Sequence, residues 1–261
     1  MSSARLEARQ LRVTVPGRVL VDAFGAQVGG GEFIALLGGN GTGKSLLLRT
    51  LAGLRPAASG EVRLEGRHIG EYPRRVVATR LGFLPQDPDA PPQGSLFENV
   101  LLGRFAHLGF FERSSAGDTG RASRALADVD LAALGDRELA TLSGGEQRRA
   151  AIARLLVQAP AIYLLDEPTN HLDPAQQLGV LEHLRGLARD GASIIASLHD
   201  PNLALRFADR FWLLSGSGPV QELANEALEP RHLAGLYGVG YTEHRAGSLR
   251  FMAPGDVARS R

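Results

Sequence analysis

Apolar residues in this chain gather into short runs separated by polar, glycine-rich punctuation. Phe33-Ile34-Ala35-Leu36-Leu37 ends in a glycine cluster, and Leu46 to Leu54 then carries helical spacing with Gly53 near its end. That pattern predicts a strand, a tight loop and a helix. Runs at Leu81–Leu84, Ala161–Leu165, Ser193–Ser197 and Phe211–Leu214 have the continuous apolar character of strands buried on both faces, with helical periodicity between the last three. Strands alternating with helices imply a largely parallel sheet covered by helices, an α/β fold.

The stretch from about Asp87 to Leu142 breaks the alternation. After the loop Asp87-Pro88-Asp89-Ala90-Pro91-Pro92 it shows helical patterns alone. Ser95-Leu96-Phe97-Glu98 has the form of a capping box opening a helix to about His107, Gly109 to Gly120 reads as loop, and Ala122 to Leu131 reads as a second helix with Ala125, Leu126 and Val129 on one face. A helical subdomain inserted into the sheet is expected, with Phe105, Phe110, Phe111, Leu101, Leu102 and Leu108 assigned to core ahead of a partner surface. Pro230 to Leu236 predicts a short helix, and Gly255 to Arg261 a frayed tail.

Composition narrows the function classes. Lys plus Arg total 29 against 28 for Asp plus Glu, a formal charge of +1 that gives no general attraction to nucleic acid. With no cysteine there is no disulfide framework, thiolate metal site or cysteine nucleophile. The first ten residues carry Arg5, Glu7 and Arg9 and lack the apolar centre of a secretory signal. No apolar run approaches the roughly 18 residues of a spanning helix, so work at a membrane would require recruitment by a partner. Seven histidines without i, i+4 spacing do not suggest a metal site, His107 and His171 included.

Three segments carry chemistry. Gly38-Gly39-Asn40-Gly41-Thr42-Gly43-Lys44-Ser45 has P-loop spacing between a predicted strand and a predicted helix, and it contains the only lysine in the chain. Glycines let backbone N–H groups approach phosphate oxygens at a helix N-terminus, a lysine adds charge and a serine hydroxyl can meet magnesium. Ala161 to Leu165 leads into Asp166 and Glu167, a strand ending in two carboxylates, the first suited to hold a metal ion and the second to polarise water. Leu142-Ser143-Gly144-Gly145-Glu146-Gln147 opens a long helix through Arg148 and Leu156. It reads either as a capping box or as a second phosphate-facing helix N-terminus.

With Gln86, Asn170-His171-Leu172-Asp173 and His199 added, the ordered motifs resemble those of the ATP-binding cassette ATPases over almost the full chain. The resemblance implies a P-loop NTPase fold with a mostly parallel core sheet, an N-terminal antiparallel β portion and an inserted helical subdomain. Its expected limits are one ATPase domain over 1–254, the subdomain at about 87–160 in a RecA-like core, and a disordered tail over 255–261. It implies ATP and Mg2+ as cofactors. Gly38, Gly39, Asn40, Gly41, Thr42, Gly43, Lys44 and Ser45 would hold phosphates, Ser45, Gln86 and Asp166 would attend magnesium, Glu167 would be the base toward water, and His199 would link it to the γ-phosphate. Ser143, Gly144 and Gly145, together with Asp173, would complete the nucleotide site, Ser143 and Gly145 reaching it from a second copy in a head-to-tail homodimer.

Two positions depart from the family pattern. Val15 stands where an aromatic residue usually stacks on adenine, implying weaker nucleotide affinity or looser choice between ATP and GTP, and Gly39 stands where proline is common. Leu101 to Gly109, Asp173 to Gln177 and Ser197 to Ala204 are similar to the ATPases of metal-chelate importers for iron-siderophore, haem or cobalamin. That resemblance implies integral membrane permease subunits, a periplasmic or surface substrate-binding protein, no nucleic acid, and a peripheral place on the cytoplasmic side of the membrane. The alternatives are a soluble cassette protein outside transport, an importer or exporter subunit for another substrate, and a module without turnover. Soluble cassettes usually carry two cassettes or a long coiled-coil insertion, and the set Lys44, Asp166, Glu167 and His199 opposes loss of turnover.

Overall fold

The structure, a computed structural model, describes residues 4–86, 93–109, 112–247 and 249–255. The chain begins with β1 (Leu6–Val15) and β2 (Arg18–Val28), an antiparallel hairpin, followed by β3 (Phe33–Leu37) and α1 (Lys44–Leu51). Next come β4 (Ser59–Leu64), β5 (Arg67–His68), α2 (Arg74–Arg80) and β6 (Leu81–Leu84). Between β6 and β7 (Ile162–Leu165) lie α3 (Leu96–Leu101), α4 (Ala116–Asp128) and α5 (Gly144–Gln158). The remainder is α6 (Pro174–Arg189), β8 (Ser193–Ser197), α7 (Pro201–Phe207), β9 (Arg210–Leu213), β10 (Gln221–Ala224), α8 (Pro230–Tyr237) and the hairpin β11 (Tyr241–Ala246) with β12 (Leu249–Pro254).

Among the described residues, the strands form a four-stranded antiparallel sheet, β2-β1-β4-β5, a six-stranded sheet, β10-β9-β3-β8-β7-β6, and the C-terminal hairpin. Within the larger sheet β9, β3, β8, β7 and β6 run parallel and β10 antiparallel. Every residue of β3, β7 and β8 is buried, which explains why these strands read as unbroken apolar runs. β3 divides the interior: Phe33, Ala35 and Leu37 join the core under α3 to α6, whereas Ile34 and Leu36 join the core under α1 and the antiparallel sheet. Because β6, β7, β8 and β3 are parallel, the segments that follow them emerge at one edge of the sheet, where open α/β sheets bind ligands.

Strand β1 escaped the periodicity reading for a physical reason. Its buried positions switch from even (Leu6, Ala8) to odd (Leu11, Val13) across Gln10, whose φ of 47° marks a bulge where the register with β2 and β4 also shifts. A side chain at Gly60 of β4 would collide with the carbonyls of Arg9 and Gln10, so this bulge requires glycine opposite it.

Other expectations need correction. The helix opened by Ser95 ends at Leu101 and continues only as one 3-10 turn, Leu102–Arg104. The second helix starts at Ala116, inside the segment expected to be loop, because Ser115 and Asp118 form a capping box that outweighs Gly117 and Gly120. Phe105 is 75% exposed and Leu102 52% exposed, so these two belong to the surface and not to the core. Phe110, Phe111, the loop 87–92 and the tail 256–261 lie outside the described residues. Gly255 is tied down, its amide donating to the Gly240 carbonyl at 2.7 Å. No described helix is long and apolar enough to cross a membrane.

Candidate active site

The loop from Gly38 to Ser45 is shaped by its glycines. Any side chain at Gly38 would collide with the Leu214 carbonyl, and Gly41 and Gly43 have φ of 72° and 104°. Gly43 is the N-cap of α1 and supplies no side-chain cap, so the first amides of that helix have no side-chain acceptor at the cap. Lys44 is buried, and its Nζ donates to the carbonyls of Gly38 at 2.7 Å and Gly39 at 3.1 Å. Burial holds its pKa below the ordinary lysine value, with Glu167 and Asp166 pulling the other way.

The carboxylates arrive from β7. Asp166 is 1% exposed; its Oδ1 accepts from Ser197 Oγ at 2.8 Å, and its Oδ2 is buried with no hydrogen-bond partner. Glu167 has a φ of 52°, and this unfavourable backbone is fixed by the Glu167 amide donating to Ser197 Oγ at 2.8 Å. Its Oε1 lies 2.5 Å from His199 Nε2, and its Oε2 accepts from Asn170 Nδ2 at 2.8 Å. Lys44, Ser45, Gln86, Glu167, Asn170 and His199 line one cavity of about 700 Å³, together with Val15, Arg18, Leu20, Asn40 to Gly43 and Leu46. Gly38, Gly39 and Asp166 are not among the residues that line it.

These residues fit magnesium. A hydroxyl (Ser45), an amide oxygen (Gln86) and one carboxylate with an unpartnered buried oxygen (Asp166) form the sparse oxygen set that leaves substrate phosphates to complete the coordination. Among the described residues no cluster of three or more histidines and carboxylates suggests another metal site.

The structure does not bring Ser143, Gly144 and Gly145 to this cavity. They open α5, where Ser143 Oγ donates to Glu146 Oε2 at 2.8 Å and accepts from the Glu146 amide at 3.3 Å, a complete capping box. Asp173 likewise caps α6, accepting from the Gln176 amide at 2.9 Å.

Three residues whose roles the sequence did not disclose hold the site. Arg148, on α5, donates to the carbonyls of Pro85 at 2.5 Å, Gln86 at 3.0 Å and Glu167 at 2.7 Å, and also to that of Asp166. It thereby binds the segments after β6 and β7 into one unit. Ser197 donates to the Asp166 carboxylate and accepts from the Glu167 amide, and Asn170 donates to the Glu167 carboxylate. The available signals were a polar residue ending a fully buried strand whose middle is apolar, and an arginine on a helix face that also carries Ile152 and Leu155.

Comparison with known proteins agrees with this geometry. Residues 21–170 match the family described as ABC transporter. The chain is 39% identical to the hemin import ATP-binding protein of Bradyrhizobium diazoefficiens, over 97% of this chain and 95% of that protein. It is 37% identical to the ferric enterobactin transport ATP-binding protein of Escherichia coli K12, over 91% and 89%. A solved metal-chelate type ABC transporter in an inward-facing conformation superimposes with a TM-score of 0.83 at 28% identity, covering 98% of both chains.

Proposed function

The chain belongs to the ABC transporter family as an ATP-hydrolysing, energy-coupling subunit, and on that premise we propose how its cavity performs the hydrolysis and what it drives. The observation that carries the reading is the pairing of an N-terminus without a side-chain cap, at α1, with the Glu167–His199 contact on the same cavity.

Lys44 and the amides of 41–45 take the β- and γ-phosphates, Lys44 exchanging the Gly38 and Gly39 carbonyls for phosphate oxygens. Ser45, Gln86 and Asp166 would hold magnesium, which supplies charge neutralisation on the phosphates. Glu167, held by Asn170 and His199, accepts the proton of the attacking water, and His199 faces the γ-phosphate. The amides of Ser143, Gly144 and Gly145 stand on another surface of the same chain, so they serve the nucleotide of a second copy, with Asp173 beside them, and the working form is a homodimer closed on ATP.

The cargo class is an iron chelate or haem, by analogy with the two relatives. Such work needs an integral membrane permease and a substrate-binding protein, with this chain peripheral on the cytoplasmic face. Residues 1–254 act as one ATPase unit in which α3 to α5 form the helical subdomain that follows closure. Magnesium-dependent hydrolysis by the native chain beside Glu167→Gln, with sedimentation, tests the scheme. The native chain turns over, and the variant loses about 10²- to 10⁴-fold of its rate while accumulating an ATP-bound dimer. Native turnover in the variant would remove Glu167 from the base role.

A further inference from the structure

A nucleotide whose phosphates lie on residues 41–45 must rest its base on what else lines the cavity. Among the described lining residues there is no Phe, Tyr or Trp, and the imidazole of His199 is engaged with Glu167. The wall beyond the P-loop is built from the β1–β2 turn by Val15, Arg18 and Leu20. Leu20 is packed on the loop itself, since a methyl group on Gly43 would lie 3.1 Å from its Cβ. Arg18 is anchored on one edge only: Nη2 donates to the Gly216 carbonyl at 2.8 Å. The loop carrying Gly216 is tied back to β2 by the Asp22 amide, which donates to the Gly218 carbonyl at 3.2 Å. A methyl group on Gly216 would sit 3.1 Å from that Nη2 and 3.0 Å from Thr42 Cα, so guanidinium and P-loop face each other across this glycine.

The charge of Arg18 is also uncommitted. The residue opposite it in the hairpin is the aliphatic Val15; farther along β1, Arg12 is paired with Asp22 at 2.7 Å, whereas among the described residues no carboxylate pairs with Arg18. A planar cation, fixed along one edge and open on its face, beside two aliphatic side chains and at the rim of a triphosphate cradle, is a stacking surface for a flat π-system.

We propose that Arg18 is the nucleobase platform of this ATPase: its guanidinium plane stacks on the purine, and Val15 and Leu20 cover the ribose and ring edge. The assignment rests on the nucleotide-binding reading above and names the group that decides which bases the site accepts. Stacking on a guanidinium face is tolerant of ring substituents, so ATP and GTP bind with similar affinity.

Calorimetric titration of Mg-ATP, Mg-GTP and inorganic tripolyphosphate into the native chain, Arg18→Ala, Arg18→Lys and Arg18→Tyr tests it. Arg18→Ala weakens ATP and GTP alike by about ten- to hundredfold and leaves tripolyphosphate unchanged. Tyr restores most of the loss, because it returns a flat surface, whereas Lys restores little, because it returns only charge. Parallel loss of tripolyphosphate affinity, with rescue by Lys, would make Arg18 a phosphate contact and overturn the proposal. So would an Arg18→Ala chain that binds ATP as the native chain does. A native chain that bound neither ATP nor tripolyphosphate would remove the nucleotide reading itself, and the assignment with it.

Discussion

Two helix N-termini in this molecule look alike in sequence and differ in chemistry. Both α1 and α5 begin at a glycine-rich stretch containing a hydroxyl residue, α1 just after its glycines and α5 with Gly144 and Gly145 as its first two residues, and both offer the amides and positive dipole end that attract anions. At α1 the N-cap is Gly43, with no side chain to satisfy those amides, and the helix opens into a cavity with Lys44 at its rim. At α5 the N-cap is Ser143, and Ser143 and Glu146 satisfy each other's amides on an exposed surface. The first terminus is therefore ready for phosphate. The second is quiet until something displaces Glu146, whose carboxylate is held below its ordinary pKa chiefly by the Ser143 amide. The same contrast holds for the whole segment between β6 and β7, since α3, α4 and α5 each begin with a serine–carboxylate capping box.

The largest effect expected from this difference is at Lys44. Replacing it by Ala removes the one buried cation of the α1 site and lowers ATP affinity of the isolated chain by about a hundredfold, the scale of one or two charge-assisted hydrogen bonds. Equilibrium binding to the purified variant checks this, and unchanged affinity would put the phosphates elsewhere. A melting curve run alongside separates lost ligand contacts from loss of the Gly38 and Gly39 bonds.

The second terminus should behave oppositely. Ser143→Arg leaves ATP affinity of the single chain intact while ATP-driven dimerisation and turnover fall together. The lost cap costs roughly 1 kcal/mol in folding stability. Fluorescence titration paired with sedimentation distinguishes the two sites: a fall in single-chain ATP affinity would mean that α5 serves its own cavity and that the division between the termini is mistaken.

Sequence made the chemistry of this site more legible than its support. Gly38 to Ser45, Asp166 with Glu167, and His199 follow three buried parallel strands, whose apolar runs are unmistakable and whose ends share one edge. What held those residues was hidden, because Arg148 and Ser197 act through carbonyls and amides contributed by distant segments. The antiparallel sheet was hidden too, since bulges at Gln10 and Ala23 shift the parity of the apolar positions in β1 and β2. The helical segment was partly hidden: its glycines suggest a loop where the Ser115–Asp118 box starts a helix. The box is as visible at Ser115 as at Ser95, and its capping outweighs the two glycines that follow it.

That box also supplies the smallest effect, and it asks whether a capping carboxylate stabilises the helical segment in the way the comparison assumes. Asp118 Oδ2 accepts from the Ser115 amide at 3.0 Å and from Ser115 Oγ at 2.8 Å, and Oδ1 accepts from Arg104 Nε at 2.8 Å. Ser115 first, and Arg104 after it, hold the carboxyl at about 2, below its ordinary 3.8. A carboxyl whose pKa is depressed by folding contributes stability that is fully present above its unfolded value and is lost as pH falls through the folded one. The difference in melting temperature between native chain and Asp118→Asn should therefore be constant above about pH 4 and shrink steadily toward pH 2. Curves that stayed parallel through that window would mean that Asp118 caps α4 equally well as a neutral group. The contrast between a charged, self-satisfied helical segment and a P-loop helix without a side-chain cap would then rest on hydrogen bonds alone.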